Sequence, residues 1–542
     1  MSTHYKNLLI LFFFTFLTYT PILFNYWVGD DYLIIERNTF YASWKNVPRL
    51  FEKGYITNVQ AVEYVSDPQY DYGTGSVSYR PVSNFSYFFD YFLFQAKPYG
   101  SHLIDILIHC ANSFFVYWIV VQLFSSSILG LFAGLLFSLH PLQSEAVAVM
   151  SYRADIIAAF FVLYSFYFWV KFQQGEYLRK GYYGGALLMY FLAVFSKESA
   201  IMLPLVILLF DQLLAIPRLS LIRRMKYYAG FILILIVYLY LYIIVFPNSS
   251  VSFHWLGASG LSHCLIMGHI WSAYLINVLL PWTVRLIPGL YCPPAPLLIS
   301  LETLSMGAVL IVLIAGACFL WRKYKPVAFL LFWYILFYIP VSNVIPIANP
   351  MAYRFMYLPS IGLFIVLAWI FHKVFISESL EKYSKRLSVI FHAAIIIICI
   401  ICTLFINGNW KSDFNVGYTW AKDYPALYRG YALLGQAYFD VAQFKEAERY
   451  LEKSVRLRDR IPADLLMLAQ CYRVLGEMKE AEALLKQIIS LYPVYADPYF
   501  ELAAIYYYQN NIPLEHEMIK KGLSLNPRKS LAYFENLHQL KR

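Results

Sequence analysis

Apolar runs long enough to cross a bilayer recur through almost all of the first 406 residues. A crossing helix needs about 20 mostly apolar residues. Runs at or near that length cover 8–26, 102–123, 127–142, 155–172, 184–197, 199–215, 228–247, 300–321, 327–345, 356–376 and 388–406. The chain is 60% hydrophobic and 14% charged, with a mean hydropathy of +0.54. A soluble chain is nearer to about half apolar and a quarter charged. The expected fold is therefore all-α, a polytopic helical bundle solvated by lipid. The 48 tyrosines suit such a chain, because a tyrosine ring has one apolar and one wet end and settles at membrane interfaces.

The net charge of +10 would point to nucleic acid in a soluble protein. Here the basic residues sit in short loops between apolar runs, so no nucleic-acid partner is expected. The loops are "KFQQGEYLRK" (171–180), "RLSLIRRMK" (218–226), "WRKYK" (321–325) and "HKVFISESLEKYSKR" (372–386). With all four cytoplasmic, the N-terminus is cytoplasmic too, the spans alternate, and the chain crosses eleven times. A further apolar segment, 262–282, would break the alternation if it crossed, so it is read as re-entrant or interfacial. The start of the chain has a basic residue and an apolar run but no small-residue cleavage site, so an uncleaved first span is expected. The seven cysteines form no CxxC pair, and no HxxxH or HExxH pattern appears. No metal ligand is assigned; a divalent ion stays open but is not indicated.

This topology makes 27–101 a long external loop. Its part 82–94 is aromatic-rich and reads as a helix lying in the interface. After Phe405 the composition changes. Residues 407–429 read as a linker and 430–527 carry a repeat of period 34. Leu434-Gly435, Leu468-Ala469 and Leu502-Ala503 share a register, as do Tyr438, Tyr472 and Tyr506. Ala447 and Ala481 form a third column, with Glu515 in the third unit, and Asp459, Pro493 and Pro527 close the units. Small residues at fixed places let paired helices approach, which is the tetratricopeptide pattern. Such a solenoid presents a concave face to a peptide or protein. Residues 528–542 read as a cap helix or tail.

Ionisable residues beside spans are costly and mark function. The external side collects Asp30, Asp31, Arg80, His140, Glu145, Arg153, Asp155, Lys197, Glu198, Arg285 and Arg354. Asp30-Asp31, in "NYWVGDDYLIIERN", is either a solvated loop start or a working pair. In the second case one carboxylate is the general base toward a hydroxyl and the other orients it or binds a cation. Arg80, in "SYRP", precedes a proline in extended backbone; it either merely snorkels or binds headgroup phosphate, or it belongs to the site. In "LHPLQSEAVAVMSYRAD", the bland reading pairs Glu145 or Asp155 with Arg153. Lys197 and Glu198, in "FSKES", form either a plain charged turn or part of a site. Arg354, in "AYRFMYLPSIG", reads as a phosphate ligand, because its planar fork fits phosphate oxygens. A carboxylate base beside a phosphate-binding cluster is what transfer from a lipid-linked phosphate donor requires.

Taken together, "GDD", "SYRPVSNFSY", "GSHLIDILIH", "LHPLQSEAVAVMSYRADIIAA", "SKES" and "AYRFMYLPSIG", followed by the repeats, resemble the transmembrane and tetratricopeptide-repeat-containing O-mannosyltransferase family of GT-C glycosyltransferases, with a bacterial relative favoured by the compact loops. The resemblance runs from about Asn25 to Pro527. It implies an inverting transfer of a hexose, mannose favoured, from a dolichyl- or undecaprenyl-phosphate sugar to a protein hydroxyl on the extracytoplasmic side. That places the repeats in a bacterial periplasm, or in the endoplasmic reticulum lumen of a eukaryote. Asp30 or Asp31 would be the base. Arg80, His140, Glu145, Arg153, Asp155, Lys197, Glu198 and Arg354 would be donor-phosphate or sugar ligands. Two other readings compete: a GT-C transferase acting on a lipid or glycan, and a non-catalytic scaffold that presents the repeats. A transporter would carry its ionisable groups near span centres, not at the outer ends.

Overall fold

The structure is a computed structural model that describes residues 3–36, 38–52, 79–175, 178–214, 221–245, 259–287, 301–344, 346–347, 349–375 and 384–526. It divides into two compact units, with the break between Lys411 and Ser412.

The first unit is a helical bundle. Its helices are α1 (Thr3–Tyr19), α2 (Pro81–Phe94), α3 (Pro98–Phe124), α4 (Ser127–Leu139), α5 (Ser144–Ala148), α6 (Arg153–Gln174), α7 (Lys180–Val194), α8 (Leu203–Leu213), α9 (Leu221–Tyr240), α10 (Gly260–Leu279), α11 (Leu301–Lys323), α12 (Lys325–Tyr338), α13 (Ser360–Phe375) and α14 (Ser384–Asn409). The long helix α3 shows why they assemble as they do. Ser101, Asp105, His109, Asn112 and Ser113 recur at helical spacing, and all are fully buried. Its outward face carries apolar residues such as Leu107 instead. Likewise α1 buries Asn7, Thr15 and Thr18 while exposing Leu9, Phe13 and Leu17. Polar groups point inward and apolar groups outward, as in a bundle solvated by lipid.

Five of the described helical segments are long and apolar enough to cross a bilayer, or six if α4 and the segment 141–148, bent by 50°, count as one. The runs expected at 184–197, 199–215, 327–345 and 356–376 form helices of 15, 11, 14 and 16 residues. At about 1.5 Å per residue these are shorter than the roughly 30 Å hydrocarbon core. Over 262–282 the chain forms most of α10, a continuous helix of 20 residues, followed by a short turn at Pro281–Thr283. The interfacial helix expected over 82–94 runs Pro81–Phe94, opened by its proline and closed by Gln95 in the left-handed region. The remainder of the long loop, 53–78, lies outside the described residues, as does 528–542.

The second unit starts with a correction. Residues 407–429, read as a linker, contain the end of α14 and a helix, α15 (Asp413–Asp423). Ser412 caps it by accepting from Asn415 N, and Asp413 stands in its first turn. Three helix pairs follow: α16 (Tyr428–Asp440) with α17 (Phe444–Leu457), α18 (Pro462–Val474) with α19 (Met478–Leu491), and α20 (Asp497–Tyr508) with α21 (Ile512–Leu525). The second and third pairs share a core of Leu465, Ala469, Ala481, Leu485, Ile488, Leu502 and Ile505, and the first packs on the second through Ala447, Leu451, Leu468 and Cys471.

The repeat period also governs the turns. Gln443 N donates to Tyr438 O at 2.9 Å, Glu477 N to Tyr472 O at 2.8 Å, and Asn511 N to Tyr506 O at 2.9 Å. Each first helix thus closes on the carbonyl of its repeat tyrosine. The residue before each donor has a positive φ: 59° at Ala442, 87° at Gly476 and 58° at Asn510. That is the left-handed closure of a helix, which glycine adopts freely and alanine at a cost. Gly476→Ala should destabilise the repeats by about 1 kcal/mol, and Ala442→Gly should stabilise them by a few tenths to about 1 kcal/mol. Denaturant unfolding of the two variants, followed by far-UV circular dichroism, checks the opposite signs. Shifts of equal sign would remove the conformational account.

Candidate active site

The chain leaves α1 through a turn at 20–24 and an extended stretch held against the end of α14. There the Asn25 side-chain amide donates to Asn407 O (3.3 Å) and Trp410 O (3.2 Å). Gly29, at φ +55°, then reverses the chain. No atom lies within 4 Å of where its Cβ would sit, so the requirement for glycine is purely conformational.

The two adjacent carboxylates that follow have different surroundings. Asp31 has no exposed surface. Its Oδ1 accepts from Ser151 N at 2.7 Å and its Oδ2 from Val28 N at 3.2 Å. It therefore ties its own turn to the segment that precedes α6. Burial pushes its pKa up to about 7, against the pull of those two N–H groups. Asp30 is half-buried and stands in the turn that Gly29 opens.

Four of the expected cations gather at this end of the bundle, and each is paired. Arg80, just before α2, grips Glu198 with two parallel bonds, Nε to Oε2 at 3.0 Å and Nη2 to Oε1 at 2.6 Å. Lys197 reaches Asp155 at 2.5 Å and lies over the Phe355 ring. Arg354 pairs with Glu145 and stacks on the Tyr152 ring, 3.8 Å from its centre. Glu145 also accepts from Tyr353 N (2.7 Å) and Arg354 N (3.3 Å), so it caps the turn that carries its own partner.

The fourth cation, Arg153, is completely buried. It binds Asp90 through Nη1 (2.5 Å) and Nη2 (3.2 Å), Asp105 through Nε, and Ser101 O at 3.0 Å. This corrects the bland reading: Arg153 pairs with neither Glu145 nor Asp155, which are committed elsewhere.

Local folding sets these directions. In the turn between α7 and α8, Lys197 faces inward and Glu198 outward. The turn is fastened to the start of α2 by Val82 N donating to Phe195 O (3.2 Å) and Ser83 Oγ donating to Ser196 O (2.7 Å). Glu198 shows the outcome electrostatically. Burial opposes its charge, but Arg80 and Lys197 outweigh that and hold its pKa at about 2. Lys197 is pulled below its usual range by burial and by the nearby Arg80 and Arg354, despite Asp155. Asp155 acts on Arg80 and Arg354 as well as on Lys197, and Tyr152 feels Asp30, Asp31 and Glu145. The groups form one electrostatic neighbourhood drawn from six segments of sequence.

Two expected residues stand apart. His140 is buried, accepts from Leu142 N at 3.2 Å and packs on Phe364 at 4.7 Å. That is a helix cap and a core contact, and no ion pair of the neighbourhood involves it. Arg285 donates only its backbone N–H, at 3.4 Å, to Tyr353 Oη, while its side chain is exposed. The sequence reading missed Asp90, Asp105, Ser151 and Tyr152. The two acids had a readable signal: each is a lone carboxylate inside an aromatic or apolar run. Among the described residues, no three His, Cys, Asp or Glu side chains converge as a metal site.

Removing one partner of a fully buried ion pair leaves a charge unsolvated and costs about 3–5 kcal/mol. Asp105→Asn should accordingly lower the thermal midpoint in detergent by several degrees or abolish folded yield, read by fluorescence-detected size exclusion. Asp31 supplies a pH signature. Its folded pKa, about 7, exceeds its unfolded value near 3.8, so its contribution is full below about pH 4 and is lost as pH rises through 7. Asp31→Asn should flatten the fall in melting temperature between pH 4 and 7 and lower it at acid pH, since Asn has one acceptor for two N–H donors. An unchanged slope would contradict this assignment.

Comparison with known proteins agrees with the expected resemblance. Residues 81–243 match the family model described as dolichyl-phosphate-mannose-protein mannosyltransferase, and 428–460 and 465–495 match a tetratricopeptide repeat. The first match contains Asp90, Asp105, Glu145, Arg153, Asp155, Lys197 and Glu198. A protein O-mannosyl-transferase of Caenorhabditis elegans is 22% identical over 83% of this chain and 63% of its own length. A Xenopus laevis protein O-mannosyl-transferase is 35% identical over 17% of this chain and 11% of its own, and a human one 33% over 16% and 10%. The chain thus spans just under two thirds of the C. elegans relative. By these matches it resembles the transmembrane and tetratricopeptide-repeat-containing O-mannosyltransferases.

Proposed function

We propose that the chain is an inverting membrane glycosyltransferase. It moves a hexose, mannose favoured, from a polyprenyl-phosphate sugar to a serine or threonine hydroxyl of a protein. The observation that carries this reading is the half-buried Asp30 carboxylate, held beside a buried Asp31 in a neighbourhood of arginine and lysine.

In this mechanism Asp30 takes the proton of the acceptor hydroxyl as its oxygen attacks the anomeric carbon. The bond from that carbon to the phosphate oxygen breaks on the opposite face, so configuration inverts. The polyprenyl phosphate leaves with its negative charge, which the neighbouring cations stabilise. Asp31 is a positioning residue: its bonds to Val28 N and Ser151 N fix the turn that presents Asp30. The Arg354 guanidinium, flat on Tyr152 and tethered to Glu145, is preorganised for oxygen ligands.

The remaining assignments belong to the same proposal. The four basic loops lie in the cytoplasm, and the site and the repeats lie on the extracytoplasmic side. The donor is dolichyl- or undecaprenyl-linked and enters from the bilayer with its tail still in lipid. The repeats engage the polypeptide acceptor, and no nucleic acid takes part. The similarity to protein O-mannosyl-transferases favours this reading over a transferase acting on a lipid or glycan and over a scaffold.

The test uses purified protein in detergent with radiolabelled polyprenyl-phosphate mannose and a mixture of unfolded peptides. Wild type should move label to peptide or release free sugar. Asp30→Asn should cut that by at least about a hundredfold, the lower range for removing a general base, with yield and melting temperature unchanged. Asp31→Asn should lose activity and stability together. Donor turnover by Asp30→Asn at the wild-type rate would sink the assignment of the base. Failure of wild type on mannose and on a panel of other lipid-linked sugars would sink the transferase.

A further inference from the structure

Each described cation of the neighbourhood is already paired with a carboxylate. A phosphate that takes the fork face of one of these arginines must displace the carboxylate seated there, so the question is which pair opens at least cost. Exposure answers it. Arg153 and its carboxylates are 0% exposed, Lys197 and Asp155 4% and 8%, and Arg354 and Glu145 11% and 8%, but Arg80 and Glu198 are 22% and 33%. A carboxylate released inside the protein stays unsolvated, and that penalty is severe. One released at a partly wet edge regains water, so this pair opens at less cost than the more buried ones. Glu145 is further committed to two backbone N–H groups, whereas Glu198, once released, still lies beside Lys197.

Geometry singles out the same pair. The grip of Arg80 on Glu198 is bidentate, through Nε and Nη2. This is the fork arrangement in which a guanidinium takes two oxygens of a phosphate. Glu198 therefore fills the position that a phosphate would fill.

We propose that Glu198 is an internal stand-in for the donor phosphate. In the donor-free protein it occupies Arg80. The phosphate of an incoming polyprenyl lipid displaces it, Arg80 transfers its two N–H groups to the phosphate oxygens, and the freed carboxylate swings to the wet edge beside Lys197. There it can accept hydrogen bonds from hydroxyls of the sugar. The inference rests on the lipid-phosphate donor of the preceding section and goes beyond it by making Glu198 a competitor for the donor, not a ligand of its phosphate.

The experiment measures binding of sugar-free undecaprenyl phosphate to the full chain in nanodiscs by native mass spectrometry, with phosphatidylglycerol as a second ligand. Glu198→Gln removes the competing charge and should tighten undecaprenyl-phosphate binding about five- to tenfold. Arg80→Gln should weaken it, and the double variant should match Arg80→Gln, because the gain requires Arg80. Glu198→Asp keeps the charge but withdraws it by one methylene, and should bind between wild type and Glu198→Gln. It also serves as the test if Glu198→Gln fails to fold. Excess phosphatidylglycerol should not displace the ligand. Equal or weaker binding by both Glu198 variants, with Arg80→Gln still weakened, would overturn the exchange and leave the donor reading intact. Displacement by phosphatidylglycerol would reassign Arg80 to bulk headgroups. No binding by any form would overturn the donor reading itself.

Discussion

A guanidinium with no exposed atom is tolerable in the bundle only because two carboxylates and a carbonyl surround it. Arg153 opens α6, Asp90 belongs to α2, and Asp105 belongs to α3. In a low-dielectric interior these charges cannot separate without a penalty of several kcal/mol. The three helices are thus fixed relative to one another at one end of the bundle. Much of the candidate site depends on that fixation. Arg80 immediately precedes α2, while Ser151 and Tyr152 immediately precede Arg153. The turn bearing Lys197 and Glu198 is in turn fastened to the first residues of α2. The triad does no chemistry in the proposed reaction, but it sets the relative positions of groups that do.

The acid pair divides its tasks by burial. Gly29, in the left-handed region, opens the turn that carries both: Asp30 lies in the turn itself and Asp31 at the first helical position. Asp31 is fully buried and accepts from backbone donors of two segments, while Asp30 is only half-buried. A carboxylate that holds the backbone in this way is poorly placed to move protons to a substrate. Its neighbour gains a fixed position without giving up its exposure. The same logic appears at Glu145, which fixes the turn of Arg354 as it neutralises it.

What the sequence made legible was periodic or local. Apolar runs announced the bundle, and the 34-residue period announced the helix pairs, down to the tyrosine whose carbonyl closes each first helix. The helix at 81–94 was legible from its aromatic run, and the helix at 413–423 could have been read from Ser412 and Asp413. The pairing of charges was not legible, because it is set by packing between segments far apart in sequence: 63 residues separate Asp90 from Arg153, 118 Arg80 from Glu198, and 209 Glu145 from Arg354. Charge content picked out residues that the fold brings together, yet nearness in sequence favoured the wrong partners for Arg153. His140, next to a proline between two apolar runs, uses one ring nitrogen, Nδ1, in a local cap that the sequence did not announce.

Complete pairing has a further consequence for a site at a membrane edge. Phospholipid headgroups present phosphate at a concentration no donor lipid can match. An unpaired arginine there would be occupied by headgroups at all times, and a donor would gain little from reaching it. A carboxylate already seated on the guanidinium raises the threshold for every phosphate equally. Only a ligand that adds contacts elsewhere, such as sugar hydroxyls near Asp30 and the edge beside Lys197, recovers the cost of opening the pair. The exposure gradient from Arg153 to Arg80 then separates two roles within one set of similar residues. The most buried pairs hold the architecture, and the wettest pair is the one that opens at least cost.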